Sequence, residues 1–135
     1  MLGATSSMPI VYEIDRDRSV IRTRAIGAVT LDEVLAHFKE LRADADVPGR
    51  PNILLDLTAQ VSAPERDQLR AVVAEMKSLG TELRWGALAI VAKSDLLFGM
   101  SRILGVFVED SFSNIGVFRQ MAEAERWLDV QLTSR

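Results

Sequence analysis

Seven residues, Asn52-Ile53-Leu54-Leu55-Asp56-Leu57-Thr58, constrain this chain more than any other stretch. Most of them are apolar or β-preferring, and Pro48-Gly49-Arg50-Pro51 stands before them as a breaker, so the run reads as a buried strand. Side chains alternate along a strand, which puts Ile53, Leu55 and Leu57 on one face and Leu54, Asp56 and Thr58 on the other. Amphipathic helical patterns lie on both sides of it in sequence. Strands joined by crossover helices make a mostly parallel sheet, so the expected class is α/β.

The remaining composition narrows the chemistry. At 135 residues the chain is a typical single domain and can bury a core without staples. It has no cysteine, which excludes disulfides, thiolate metal sites and cysteine nucleophiles, and its one histidine, His37, is the sole candidate imidazole base. A net charge of −3 with acidic and basic residues interspersed argues against a nucleic-acid partner. Residues 1–10 read as a disordered lead-in and 11–132 as the folded domain. The first eight residues lack a secretory pattern, and no apolar run is long enough to span a bilayer, so the expected location is cytoplasmic.

Along the chain, Val11 to Asp15 and Ser19 to Ile26 read as an antiparallel hairpin turned by Arg16-Asp17-Arg18, with Arg22 and Arg24 on a wet face. Thr30-Leu31-Asp32-Glu33 has capping-box spacing, and Leu31, Val34, Leu35, Phe38 and Leu41 form the apolar stripe of the helix that follows. Ser62-Ala63-Pro64-Glu65 offers a second box before the stripe Leu69, Val72, Val73, Met76 and Leu79, and Gly80 is placed to end that helix. Trp85 to Lys93 reads as an alanine-rich strand whose small face invites close approach. Ser94 caps a third helix, expected from about Leu96 to Asp110, whose apolar stripe is wider than one sheet normally buries. Asn114 to Arg119 is a last strand, and Ala124, Trp127, Leu128 and Leu132 mark a closing helix.

With Tyr12-Glu13-Ile14-Asp15, Gly27 before Thr30, Leu54-Leu55-Asp56-Leu57-Thr58, and Val117-Phe118-Arg119 followed by Ala124 and Trp127-Leu128, the chain resembles the bacterial SpoIIAA-like, STAS/SEC14-type domain family over about Tyr12 to Leu128. The resemblance implies a five-stranded, mostly parallel sheet with an N-terminal antiparallel hairpin and about four helices packed mainly on one side. It also implies kinship of fold with anti-sigma-factor antagonists and with lipid-carrying domains. In the antagonists a phosphorylated serine follows the Asp-Leu-Ser/Thr strand. Here Asp56-Leu57-Thr58 matches the strand, but Ser62-Ala63-Pro64-Glu65-Arg66-Asp67 replaces the serine motif.

Two groups of residues stand out as candidate sites. Asp56, Thr58 and Ser62 cluster in sequence at a strand end and a helix start, where open α/β sheets bind ligands. Leu97, Met100, Leu104 and Phe107 form the surplus apolar face of the third helix, which meets a partner or ligand unless the closing helix, with Trp127 and Leu128, covers it. His37 has no partner tied to it by sequence and reads as a surface or boundary residue. The pairs Asp15/Asp17, Asp44/Asp46 and Glu123/Glu125 read as solvated charge. No catalytic set, metal set or cofactor motif can be assembled. The expected function is therefore a non-enzymatic regulatory or protein-interaction domain, acting as a homodimer. The alternative is a carrier or sensor of a lipid or other apolar small molecule, with the third helix as its lid.

Overall fold

The computed structural model describes residues 9–133, and the expected lead-in lies outside them up to residue 8. Its last residue, Ile10, is instead buried as the first residue of a strand. The elements run β1 (Ile10–Asp15), β2 (Val20–Gly27), α1 (Leu31–Ala43), β3 (Asn52–Gln60), α2 (Arg66–Leu83), β4 (Ala87–Val91), α3 (Asp95–Val108), a 3-10 turn (Glu109–Ser111), β5 (Asn114–Phe118) and α4 (Met121–Thr133). The strands lie in chain order, β1 antiparallel to β2 and the rest parallel, with β3 at the centre.

Local chemistry explains most boundaries. Thr30 and Glu33 form the expected capping box of α1, with the Thr30 oxygen accepting the Glu33 N–H and Glu33 accepting that of Thr30. Ser94 caps α3 by accepting the Leu97 N–H. Two expectations for α2 are corrected. Its box is made by Glu65 and Gln68 rather than by Ser62 and Glu65, because Ser62 is held elsewhere, its hydroxyl accepting the Val29 N–H at 3.0 Å. The helix also runs through Gly80 to Leu83 and ends on Arg84 in the left-handed conformation. Gly80 is needed for space: a Cβ there would lie 2.7 Å from Cδ1 of Trp85. That indole is buried, donates Nε1–H to the Met76 carbonyl at 2.9 Å, and stacks on Phe112 with centroids 5.4 Å apart.

The sheet carries a core on each face. Ile21, Ile53, Leu57, Leu88 and Ile90 face α1, α2 and α3. On the other face Val20, Leu54, Ala87, Ala89 and Val91 meet Ala124 and Leu128 of α4. The small face of β4 thus admits α4, whose close packing needs short side chains beneath it. Arg22 fixes α4 to β2 with two hydrogen bonds to Glu125, at 2.8 and 3.0 Å, and Arg18 pairs with Asp129. The two charges are half-buried, and the guanidinium bonds hold the Glu125 carboxyl below the usual range. Glu125 is therefore a structural partner rather than solvated charge. Asn52 joins three strands where they begin: its Nδ2 donates to the Ser19 carbonyl and its Oδ1 accepts the Ala87 N–H.

Candidate functional site

The wide stripe of α3 divides into two faces. Leu97 and Leu104 are 3% and 4% exposed and belong to the inner core, so neither lies on the outer surface expected of them. Their outward counterparts are Leu96, Ile103, Val106 and Phe107, which are 67%, 52%, 65% and 55% exposed. Met100 is half-buried between the two faces. The covering role expected of Trp127 and Leu128 is corrected as well, because α4 packs across the sheet from α3. The physical reason is the apolar outer face of β3 and β4, which would otherwise meet water. Nothing among the described residues covers the outer row of α3. Beside it a groove of about 830 Å³ runs between α2 and α3, floored by Leu69, Val73 and Met100 and edged by Arg66, Arg70 and Asp95.

The fold separates the polar candidates. Asp56 and Thr58 share the α4 side of the sheet's carboxyl edge with Lys93 and Arg119. Asp56 accepts the Thr58 N–H and hydroxyl through one oxygen, at 2.9 and 2.7 Å, where a bulge interrupts the pairing of β2 with β3. Its other oxygen lies 3.9 Å from Nε of Arg24. Ser62 is bound to Val29 on the opposite layer. Each residue thus completes local backbone or ion-pair needs, and the three do not converge.

His37 is corrected from a boundary residue to a core one: it is 7% exposed, its ring lies edge-on to Tyr12 at 5.4 Å, and burial pushes its pKa down to about 4. Tyr12 reaches past it to donate its hydroxyl to Asp44 at the end of α1, at 2.6 Å. The signal was present in sequence, since His37 falls three residues after Val34 and four before Leu41, on the α1 stripe itself. Nδ1 of His37 and Oγ of Ser101 are buried without hydrogen-bond partners among the described residues.

His37 also lines a cavity of about 130 Å³ between the inner face of the sheet and α1, α2 and α3. The inward residues of α1 and α2 are half-buried near the helix starts (Leu31, Val34, Leu69, Val72) and buried near their ends (Phe38, Leu41, Met76, Leu79). The two helices are tied where they end, by Arg42 with Glu82 at 2.8 Å and Ser78 at 3.4 Å. Leu55 of the central strand is accordingly only half-buried although it faces the helices. The polar wall residues Thr30, Gln60 and Gln68 mark the mouth, at the carboxyl edge of the parallel strands. Helix α3 contributes Met100 and Leu104 to the wall. The described residues contain no cluster of three or more metal-ligating side chains, and no helix among them is long and apolar enough to cross a membrane.

No protein-family model matches the chain, and no curated protein matches its sequence. Solved structures do match it. One is an uncharacterised protein of the DUF3478 family with a SpoIIAA-like fold from Shewanella loihica PV-4, at 18% identity and a TM-score of 0.60, over 88% of this chain and 93% of that one. Another is an anti-sigma factor antagonist from Mycobacterium paratuberculosis, at 18% identity and a TM-score of 0.57, over 91% of this chain and 97% of that one. The SpoIIAA-like fold read from the sequence is therefore the fold of this chain.

Proposed function

We propose that this SpoIIAA-like domain is a non-enzymatic regulatory module that works by protein docking, and that its first partner is a second copy of itself. The observation that carries the reading is the uncovered outer row of α3, Leu96, Ile103, Val106 and Phe107. Contiguous apolar surface of that kind marks interaction sites on soluble domains. On the sheet over β1 and β2, by contrast, Glu13 and Arg24 face outward and favour water. Arg66 and Arg70 face Asp95 across the α2–α3 groove, so a copy rotated by a two-fold axis presents each sign to its opposite. The structural neighbour named as an anti-sigma factor antagonist agrees with action through protein contacts. The test is the oligomeric state of the purified chain by light scattering and native mass spectrometry. A dimer that dissociates in Ile103→Glu/Phe107→Glu while far-UV circular dichroism stays native supports the reading. A wild-type monomer across the micromolar range overturns it.

A further inference from the structure

We propose that the cavity between α1, α2 and the sheet is a binding site for an uncharged, apolar molecule the size of a single ring, a benzene- or toluene-like hydrocarbon, held by packing contacts alone. This site lies inside the helical layer and stands or falls independently of docking at the outer face of α3.

The space itself comes first. Protein interiors are close-packed, with few voids larger than a water molecule, and a void left in a core destabilises it in proportion to its volume. The cavity here is about 130 Å³, and it stands open although Met76 and Met100 are in its wall. Unbranched methionine side chains are the ones best able to fill a gap. In another protein an apolar cavity of about 150 Å³ binds benzene, so a single ring fits this one. A long acyl chain needs several times that volume.

The lining sets the chemical class. None of the described lining residues is Asp, Glu, Lys or Arg. A carboxylate or ammonium group placed there would lose its hydration without gaining a counter-charge. Polar atoms of the deep wall contribute little. The indole N–H of Trp85 is bonded to the Met76 carbonyl, Nδ1 of His37 is enclosed by protein and presents no surface to the cavity, and Thr23 adds one hydroxyl. What remains is aliphatic, aromatic and thioether surface from residues such as Ile53, Leu88, Phe38, Phe112 and Met76. Such a wall holds a ring through dispersion, aromatic and sulfur–aromatic contacts.

Access comes last. Leu55 and the inward residues at the starts of α1 and α2 are only half-buried, which leaves a route from the mouth at Thr30, Gln60 and Gln68, while the Arg42 bridges close the opposite end. Ligands of open α/β sheets enter at the carboxyl edge of the strands, which is where this mouth lies.

The experiment titrates the full chain at neutral pH with benzene, sodium benzoate and sodium palmitate, followed by amide NMR shifts and thermal unfolding. Benzene is expected to bind with a Kd below about 1 mM, to shift residues such as Val34, Leu55 and Leu88, and to raise the unfolding temperature. Benzoate keeps the ring but adds a charge, and should bind at least about a hundred-fold more weakly. Leu55→Phe, whose larger side chain enters the cavity, should abolish benzene binding in a chain that remains folded by circular dichroism. Should that variant fail to fold, the shift map of the wild type decides: shifts at the cavity residues support the proposal, and shifts at Ile103 and Phe107 instead overturn it. Absence of benzene binding up to its solubility in water, equal affinity for benzoate, displacement of benzene from the cavity by palmitate, or undiminished benzene binding in a folded Leu55→Phe chain would each overturn it as well.

Discussion

Replacing Gly80 with alanine sets two effects against each other inside one helix. Alanine in place of an interior helical glycine stabilises by about 1 kcal/mol, because it removes backbone freedom from the unfolded chain. At Gly80 the new Cβ would stand 2.7 Å from Cδ1 and 2.9 Å from Nε1 of Trp85, closer than van der Waals contact allows. The indole cannot swing aside freely, since it is 5% exposed, stacked on Phe112 and bonded to the Met76 carbonyl. Forcing it out costs about 1–3 kcal/mol of overpacking. Breaking the Nε1–H bond in a buried place costs about 1–3 kcal/mol more. The penalties equal or outweigh the propensity gain at every point of these ranges, so Gly80→Ala should lower stability by about 1–5 kcal/mol. Gly99 is the control, in the interior of α3 with nothing within 4 Å of an added Cβ. There only the propensity effect remains, and Gly99→Ala should raise stability by about 0.5–1 kcal/mol. Urea unfolding followed by tryptophan fluorescence and far-UV circular dichroism measures both. A Gly80→Ala chain as stable as the wild type would refute the claim that this glycine exists to seat Trp85.

Three further outcomes follow from the same contacts. Leu104→Asp, unlike Ile103→Glu, should unfold the chain, because Leu104 is core and truncating or charging such a residue costs several kcal/mol, on the order of 2–5 for removal of the side chain alone; circular dichroism at room temperature separates the two variants. His37 is neutral when folded down to about pH 4 but charges near 6.5 when unfolded, so its contribution is intact above about 6.5 and is lost as pH falls towards 4. At about 1.4 kcal/mol per unit that is about 3 kcal/mol, and the wild type should lose about that much more stability than His37→Leu between neutral pH and pH 4 in parallel denaturant titrations. Glu125→Gln should cost about 1 kcal/mol by weakening the Arg22 clamp on α4. Because the folded Glu125 carboxyl is held low, the wild type's advantage over that variant should fade as pH drops through the acidic range, read by thermal unfolding.

Where a signal was local, the sequence carried it. Thr30 with Glu33 and Ser94 with Leu97 cap the helices their spacing announced, and the alternation of Ile53, Leu55 and Leu57 against Leu54 assigns the two faces of β3. Ser62 illustrates the limit. By spacing and residue type it was the cap expected for α2, and only the proximity of the Val29 amide, 33 residues away, removed it from that role. Gly80 is similar, since its position near a helix end suggested a terminator while the demand for a missing side chain came from Trp85 in the next loop.

The candidate surfaces divide in the same way. Periodicity alone established that α3 has more apolar residues than one contact can bury, and that the chain forms an α/β domain of parallel strands and crossover helices. It could not say which half of the stripe faces inward, because helical spacing gives relative angles around an axis and no direction for that axis in space. Tertiary packing decided that Leu97 and Leu104 are core, that Leu96, Ile103, Val106 and Phe107 are surface, and that α4 lies across the sheet where the small face of β4 receives it. The cavity beside His37 belongs wholly to this second kind of information. It lies where α1 and α2 bury their inward residues less at their starts than at their tied ends, a difference set by contacts among residues far apart in the chain and written in no single stretch of it.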